Sequence, residues 1–262
     1  MPIILKSKRE IEMMRRAGVV VHRILEMMRQ ATRSGITTLD LDTIAGEEMK
    51  RSNAVSSSRF YPTYKEGEGF PGYTCISVNE EVIHGIPGRR KLKDGDIVSI
   101  DVNVFLDGWV ADSATTVPVG RVAPRVQKLL DVTKSTLALA IANAKPGKKW
   151  SDIARLMQWN VEQAGFSVVR EFVGHGVGRS MHEDPKVPNF VTAEQIRGDF
   201  SLRTGMTFAV EPMVVMGRRD VVLLEDDWTV VSEDRLPAAH FEHTLAITEA
   251  GVDVLTDGRT GL

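Results

Sequence analysis

The stretch Ile97-Val98-Ser99-Ile100-Asp101-Val102-Asn103-Val104, followed by Asp107-Gly108 and then Asp112, decides how the chain is read. Val98, Ile100, Val102 and Val104 share one face of a strand, while Ser99, Asp101 and Asn103 share the other. Asp-Gly is a strong two-residue hairpin signal, and a turn at Asp107-Gly108 pairs Asn103 with Asp112. Asp101 and Asp112 then become diagonal neighbours on one face, with Cβ atoms roughly 7–8 Å apart or less. Two converging carboxylates repel unless a cation or a shared proton lies between them.

Working outward, Ile11, Met14, Gly18, Val21, Ile24, Leu25 and Met28 recur at helical spacing and predict a helix over residues 7–34, ending near Gly35. A second helix is expected over 38–52, with Leu39 or Leu41, Ile44, Ala45 and Met49 facing inward. From 56 to 72 the composition turns to Ser, Pro, Gly and Tyr, which predicts a loop. Strands are expected over 75–78, 97–105 and 110–119. The order then starts again, with helices over 125–144 and 150–164 and strands near 168–173, 207–211, 221–224 and 241–248.

The recurrence extends to individual residues. Leu92, Lys93, Gly95 and Asp101 match Leu202, Arg203, Gly205 and Glu211 at a constant offset of 110. Gly35, Ile44 and Ala45 keep a similar offset to Gly147, Ile153 and Ala154. These matches predict a single domain of two duplicated halves, approximately 1–120 and 121–262. Carboxylates ending matched strands would then lie at the interface of the halves, where binding sites commonly sit.

The 262 residues suffice for one large domain. Lys+Arg number 33 against 35 Asp+Glu, for a net charge of -2, which argues against a general nucleic-acid or acidic-membrane binder. Cys75 is the only cysteine, so neither an intrachain disulfide nor a Cys-based zinc site is available. No apolar run reaches the length of a membrane span, and the opening residues lack the apolar core of a secretory signal. A cytoplasmic protein is expected.

Three further residues belong with the aspartates. His175 lies in Gly174-His175-Gly176-Val177-Gly178, Glu211 ends an apolar strand before Pro212, and Glu242 lies in Phe241-Glu242-His243-Thr244. Buried acids without a partner are costly, so each asks for a counter-charge. Asp101, Asp112, His175, Glu211 and Glu242 form a carboxylate-rich ligand set suited to Mn, Fe, Co or Zn. Four carboxylates carry more charge than one dication neutralises, which favours two ions able to activate water and polarise a carbonyl. His84 and His182 precede turn-prone segments, from which they could contact substrate or relay a proton. The chain has no Gly-x-Ser-x-Gly elbow, P-loop, Rossmann fingerprint or His-Glu-x-x-His motif.

Together, Asn79-Glu80-x-x-x-His84-Gly85-Ile86-Pro87, Gly95-Asp96-Ile97-Val98-x-Ile100-Asp101 with Asp112, Gly174-His175-Gly176-x-Gly178-x-x-x-His182-Glu183-x-Pro185, Glu211-Pro212-Met213 and Glu242-His243-Thr244 closely resemble the type I methionine aminopeptidases. The resemblance spans essentially the whole chain. It implies an α/β (α+β) pita-bread fold, a pseudo-twofold sandwich of duplicated halves with an antiparallel sheet covered by helices and metals between the halves. It also implies an aminopeptidase that removes the initiator methionine before a small second residue.

Carried over by motif, Asp101, Asp112, His175, Glu211 and Glu242 would hold two divalent ions, with Asp112 and Glu242 bridging. His182 would sit near the scissile carbonyl and His84 near the peptide nitrogen, and Glu211 would take the proton of the attacking water. Cys75 and Trp228 match positions of the methionine pocket. Phe70 stands where a tyrosine is common, Met181 where an aromatic is common, and Lys65-Glu66-Gly67-Glu68-Gly69 is an unusual polar insert. The 28 residues between His182 and Glu211 leave no room for the helical insert of the type II branch. The resemblance implies nascent polypeptide N-termini as partners, the ribosome as a candidate one, no direct nucleic acid, no membrane, and a monomer. X-Pro aminopeptidases and prolidases share the fold and ligand types but usually carry a large domain ahead of the first aspartate. A non-catalytic peptide-binding relative would typically lack ligands that are all present here.

Overall fold

Two reciprocally capped helices begin the chain. In α1 (Lys8–Ala31) the Ser7 side chain accepts the Glu10 N–H while Glu10 accepts that of Ser7; Thr37 and Asp40 do the same for α2 (Thr38–Arg51). This is a computed structural model, which describes residues 2–60 and 69–260. The apolar stripe of α1 buries Met14, Val21, Ile24, Leu25 and Met28. On α2 the inward residue is Leu41, fully buried, whereas Leu39 faces outward.

Both helices lie over the valine face of the hairpin formed by Ile97–Leu106 and Trp109–Pro118. Val98, Ile100, Val102 and Val104 join Ile24, Met28, Leu41 and Met49 in one apolar cluster. At roughly 25 cal/mol per Å² of apolar surface, that packing is what makes either helix stable in this place. The expected loop at 56–72 begins with a two-residue strand, Val55–Ser56, and a 3-10 turn, Ser58–Phe60; 61–68 lie outside the described residues. So do 65–68 of the polar insert.

The second half repeats the arrangement with α3 (Pro124–Asn143) and α4 (Trp150–Gln163). These pack on Thr207–Val210 and His243–Thr248 through Leu129, Trp150, Met157, Phe208, Leu245 and Ile247. Contacts recur as well as elements. Gly35 N–H donates to the Leu92 carbonyl at 2.8 Å, and Gly147 N–H to that of Leu202 at 2.8 Å. Gly95 N–H donates to Val119 at 2.8 Å and Gly205 N–H to Ile247 at 2.8 Å, both glycines having φ +92. These matching contacts support the proposal of two related halves.

All pairings among the described strands are antiparallel. The second half's main sheet runs in the order Gly251–Val254, His243–Thr248, Thr207–Val210, Gly174–Gly176, Glu183–Val187. One expected strand is shorter than its pattern: pairing at 168–173 stops after Ser167–Val168. Alternating side chains mark a segment able to form a strand, but after the pairs Val215↔Ser167 and Val214↔Val168 one further bond, Val169 N–H to the Met213 carbonyl at 3.0 Å, ends the contact with that neighbour. No described helix is long and apolar enough to cross a membrane.

Candidate active site

Asp107 and Gly108, at φ 51 and 86, make the tight hairpin turn that their sequence predicts. The turn sets Asn103 opposite Asp112, and Asp101 opposite Ala114, with Cys75 paired to Asp101 on the other side. Asp101, Asp112, Asn103 and Cys75 therefore converge on one wall of a cavity of about 140 Å³.

The opposite wall comes from the second half. His175 is central in Gly174–Gly176; Glu211 comes directly after Thr207–Val210; Glu242 lies directly before His243–Thr248 rather than within the strand. The halves are sewn together at the site itself. Glu242 N–H donates to the Ala114 carbonyl at 2.9 Å, and Ala114 N–H to that of Glu242 at 3.3 Å. Ser113 Oγ donates to the Glu242 carbonyl at 2.6 Å.

Ligand atoms of Asp112, His175 and Glu242 all lie within 4.8 Å of one another. His175 Nε2 is 3.5 Å from Glu211 Oε1 and 3.9 Å from Asp112 Oδ2. Its Nδ1 faces the Gly176 carbonyl at 3.0 Å, so that nitrogen carries the proton. Burial lowers the His175 pKa to about 3, leaving Nε2 a neutral lone pair aimed at the carboxylates.

The carboxylates show what this arrangement lacks. Burial raises Asp101 to about 6 and lifts Asp112, Glu211 and Glu242 well above the usual carboxylate range, with mutual repulsion adding to the shift of those three. Asp101 Oδ1, Asp112 Oδ1 and Glu242 Oε1 are buried without a hydrogen-bond partner. Orphaned anionic oxygens beside an imidazole lone pair fit a hard divalent cation, and the site passes that test on donor chemistry alone.

Beside this cluster the wall becomes apolar. Phe70 meets Trp228 edge-to-face at 5.2 Å, and Cys75, Ile83, Phe172 and Met181 complete the lining. His84 is held at φ 57, a left-handed backbone uncommon outside glycine, with its ring edge-on to Phe172 at 5.8 Å. Burial, with the nearby charge of His182, lowers its pKa to about 4. The exposed His182 stands at the mouth, its ring 4.1 Å from that of His175.

The fold thus brings every residue singled out from the sequence into one cavity: His84, His182, Asp101, Asp112, His175, Glu211, Glu242, Cys75, Phe70, Met181 and Trp228. Sequence reasoning missed Phe172, Val173, Ile83, Ser58 and Asn103 as lining. Asn103 had a legible signal, since it shares the polar face with Asp101. Its Oδ1 accepts from Ser58 N at 2.8 Å and Ser58 Oγ at 2.6 Å, which ties the wall to the 3-10 turn.

The profile of metallopeptidase family M24 matches residues 12–249. Methionine aminopeptidase 1 of Bacillus subtilis (strain 168) is 47% identical over 254 residues, covering 97% of this chain and 99% of that protein. The crystal structure of methionine aminopeptidase from Thermotoga maritima superposes with a TM-score of 0.90 at 42% identity, covering 97% of this chain and 99% of that one. A prolidase from Pyrococcus horikoshii OT3 gives a TM-score of 0.75 at 20% identity over 99% of this chain and 65% of its own, which shows the shared pita-bread fold alone. The match over nearly the whole length, through each of the motifs that line the cavity, places this chain in metallopeptidase family M24.

Proposed function

We propose that this protein is a methionine aminopeptidase that removes the first residue of nascent polypeptides when the second residue is small. One observation carries the reading: a cluster of four carboxylates and one imidazole opens directly onto an apolar wall of Phe70, Cys75, Ile83, Phe172, Met181 and Trp228. The cluster suits hydrolysis, and the wall suits an unbranched thioether side chain.

Asp101, Asp112, His175, Glu211 and Glu242 would hold the metal, with two ions favoured by the charge of four carboxylates and Mn, Fe, Co or Zn by the donor set. Bound divalent ions supply Lewis acidity toward the scissile carbonyl and toward water. The chain's own groups do the rest. His182, at the mouth, donates to the scissile carbonyl oxygen, and His84, deeper in, contacts the peptide nitrogen. The Glu211 carboxylate takes a proton from the attacking water and returns it to the departing amine. Phe70 and Trp228 hold the methionine side chain, and the two histidines crowd the space beyond it, favouring a small second residue. The single cysteine suits a reducing, cytoplasmic setting.

The test is turnover of Met-Ala-Ser and of an Ala-Pro peptide after chelation and re-addition of each metal in turn. Metal-dependent release of methionine from Met-Ala-Ser is expected. Cleavage of the Ala-Pro peptide alone would replace this reading with an X-Pro peptidase. Unaltered peptide affinity in Asp112→Asn, with only trace metal bound, would point to a non-catalytic binder.

A further inference from the structure

Two residues distant in sequence, Lys6 and Glu183, form an ion pair with side-chain exposures of only 3% and 10%. Neither belongs to the cavity wall. Glu183 nevertheless follows His182 directly and closes the excursion that carries it. The chain leaves the sheet after Gly176 and returns at Glu183, its pairing partner across that gap.

The excursion is built around the Glu183 carboxylate. Oε1 accepts the Arg179 N–H at 2.8 Å and the Ser180 N–H at 3.4 Å. A Cβ at position 178 would lie 2.3 Å from that same oxygen, so Gly178 permits the close wrap. The other carboxylate oxygen faces the Lys6 ammonium, which also donates to the Ile4 carbonyl at 3.1 Å. Lys6 is itself fixed, its backbone N–H donating to the Gly205 carbonyl at 2.7 Å just before Ser7 caps α1. The opening segment therefore runs from the Gly205 turn to the loop bearing Met181 and His182. At the site end of that loop the His182 ring packs on the His175 ring, 4.1 Å between centroids.

We infer that Lys6 is a positioning residue for His182. An enclosed carboxylate with two N–H donors and an ammonium is balanced; without the ammonium it carries an uncompensated buried charge. The inexpensive relief is to turn Glu183 toward water, which unwinds the 178–183 wrap and moves the adjacent His182. Misplacing a group at the reacting bond by about 1 Å costs on the order of 100-fold in rate. Of the apolar wall only Met181 rides on this loop, while Phe70, Cys75, Ile83, Phe172 and Trp228 stand on other elements, so substrate binding changes less than the rate.

This inference rests on the reading of His182 as acting on the peptide, and the parent enzyme's turnover of Met-Ala-Ser tests that reading by itself. The inference is tested by a cycle of Lys6→Met and His182→Ala, each fully loaded with manganese and assayed on Met-Ala-Ser. Lys6→Met is expected to lower kcat by about 10- to 100-fold with KM within about twofold. The double variant is expected to be no slower than His182→Ala alone, and Lys6→Arg to recover most of kcat. Multiplicative losses in the double variant, or a Lys6→Met kcat within twofold of the parent, would overturn it. Should Lys6→Met fail to fold, Glu183→Gln takes its place in the same cycle, keeping the acceptor for Arg179 and Ser180 while losing the charge that Lys6 holds.

Discussion

The Thr244 hydroxyl accepts the Asp112 N–H at 3.0 Å and donates to the Asp112 carbonyl at 2.7 Å, so one side chain from the second half holds the backbone of a carboxylate from the first. Thr116 and His240 repeat the device in the opposite sense, at 2.7 and 2.9 Å. The seam between the halves is thus hydrogen-bonded beside the residues that must stay in place for metal binding.

Thr244→Val keeps the volume and strands both polar backbone groups of Asp112. Each such buried group costs about 1–3 kcal/mol, so a loss of about 2–6 kcal/mol in unfolding free energy is expected by urea titration. Thr244→Ser should keep most of the stability; equal losses in both variants would show that the methyl group matters instead.

A second prediction concerns pH in the presence of chelator. Raised carboxylate pKa values mean that the folded protein keeps protons the unfolded chain has already released above about pH 4. The stability that Asp101 contributes is therefore full below that value and is lost as pH rises through about 6, with Asp112, Glu211 and Glu242 extending the loss upward. His84, His175, His240 and His243 work the other way, since burial holds them at about 4, 3, 3 and 4 and costs stability as pH falls below their ordinary 6.5. The two effects oppose below 6.5, and only the carboxylates act above it. As pH rises above about 6.5 the Tm of the chelated protein should fall, less so in Glu242→Gln, and not at all with manganese bound. A flat curve in chelator would contradict the assignment of the raised pKa values to this cluster.

His84 gives a test of backbone conformation. At φ 57 a side chain costs about 1–2 kcal/mol that glycine avoids. His84→Gly should then be at least as stable as His84→Ala, the reverse of the usual order, and thermal unfolding decides it. Both variants should lose about 10²–10⁴ in kcat if His84 contacts the reacting peptide.

The edge-to-face pair of Phe70 and Trp228 should set affinity for the first residue. Phe70→Ala removes apolar surface worth about 1.5–3 kcal/mol, so kcat/KM for Met-Ala-Ser should fall by about 10- to 100-fold, mostly through KM. A pure kcat effect would place Phe70 elsewhere in the reaction.

How much of this was legible beforehand follows from the range of each interaction. The hairpin was readable in register, because Asp107-Gly108 fixes the turn and period-2 alternation fixes the faces; Asn103 does meet Asp112. The convergence of Glu211 with Asp101 was legible through the repeated Leu-x-x-Gly spacing. The path of 168–173 was not, since alternation in Val168-Val169-Arg170 says nothing about whether a partner strand is present beyond Val168, and Phe172 and Val173 turn into the cavity wall instead. Lys6 with Glu183 was likewise invisible. A surface-type lysine near the chain start and a glutamate 177 residues away acquire meaning only once the fold encloses both.

The most direct measurement is anomalous diffraction from crystals soaked in manganese. The account predicts two strong peaks enclosed by Asp101, Asp112, His175, Glu211 and Glu242, both abolished in Asp112→Asn. Peaks elsewhere on the molecule, with none between these five side chains, would contradict it.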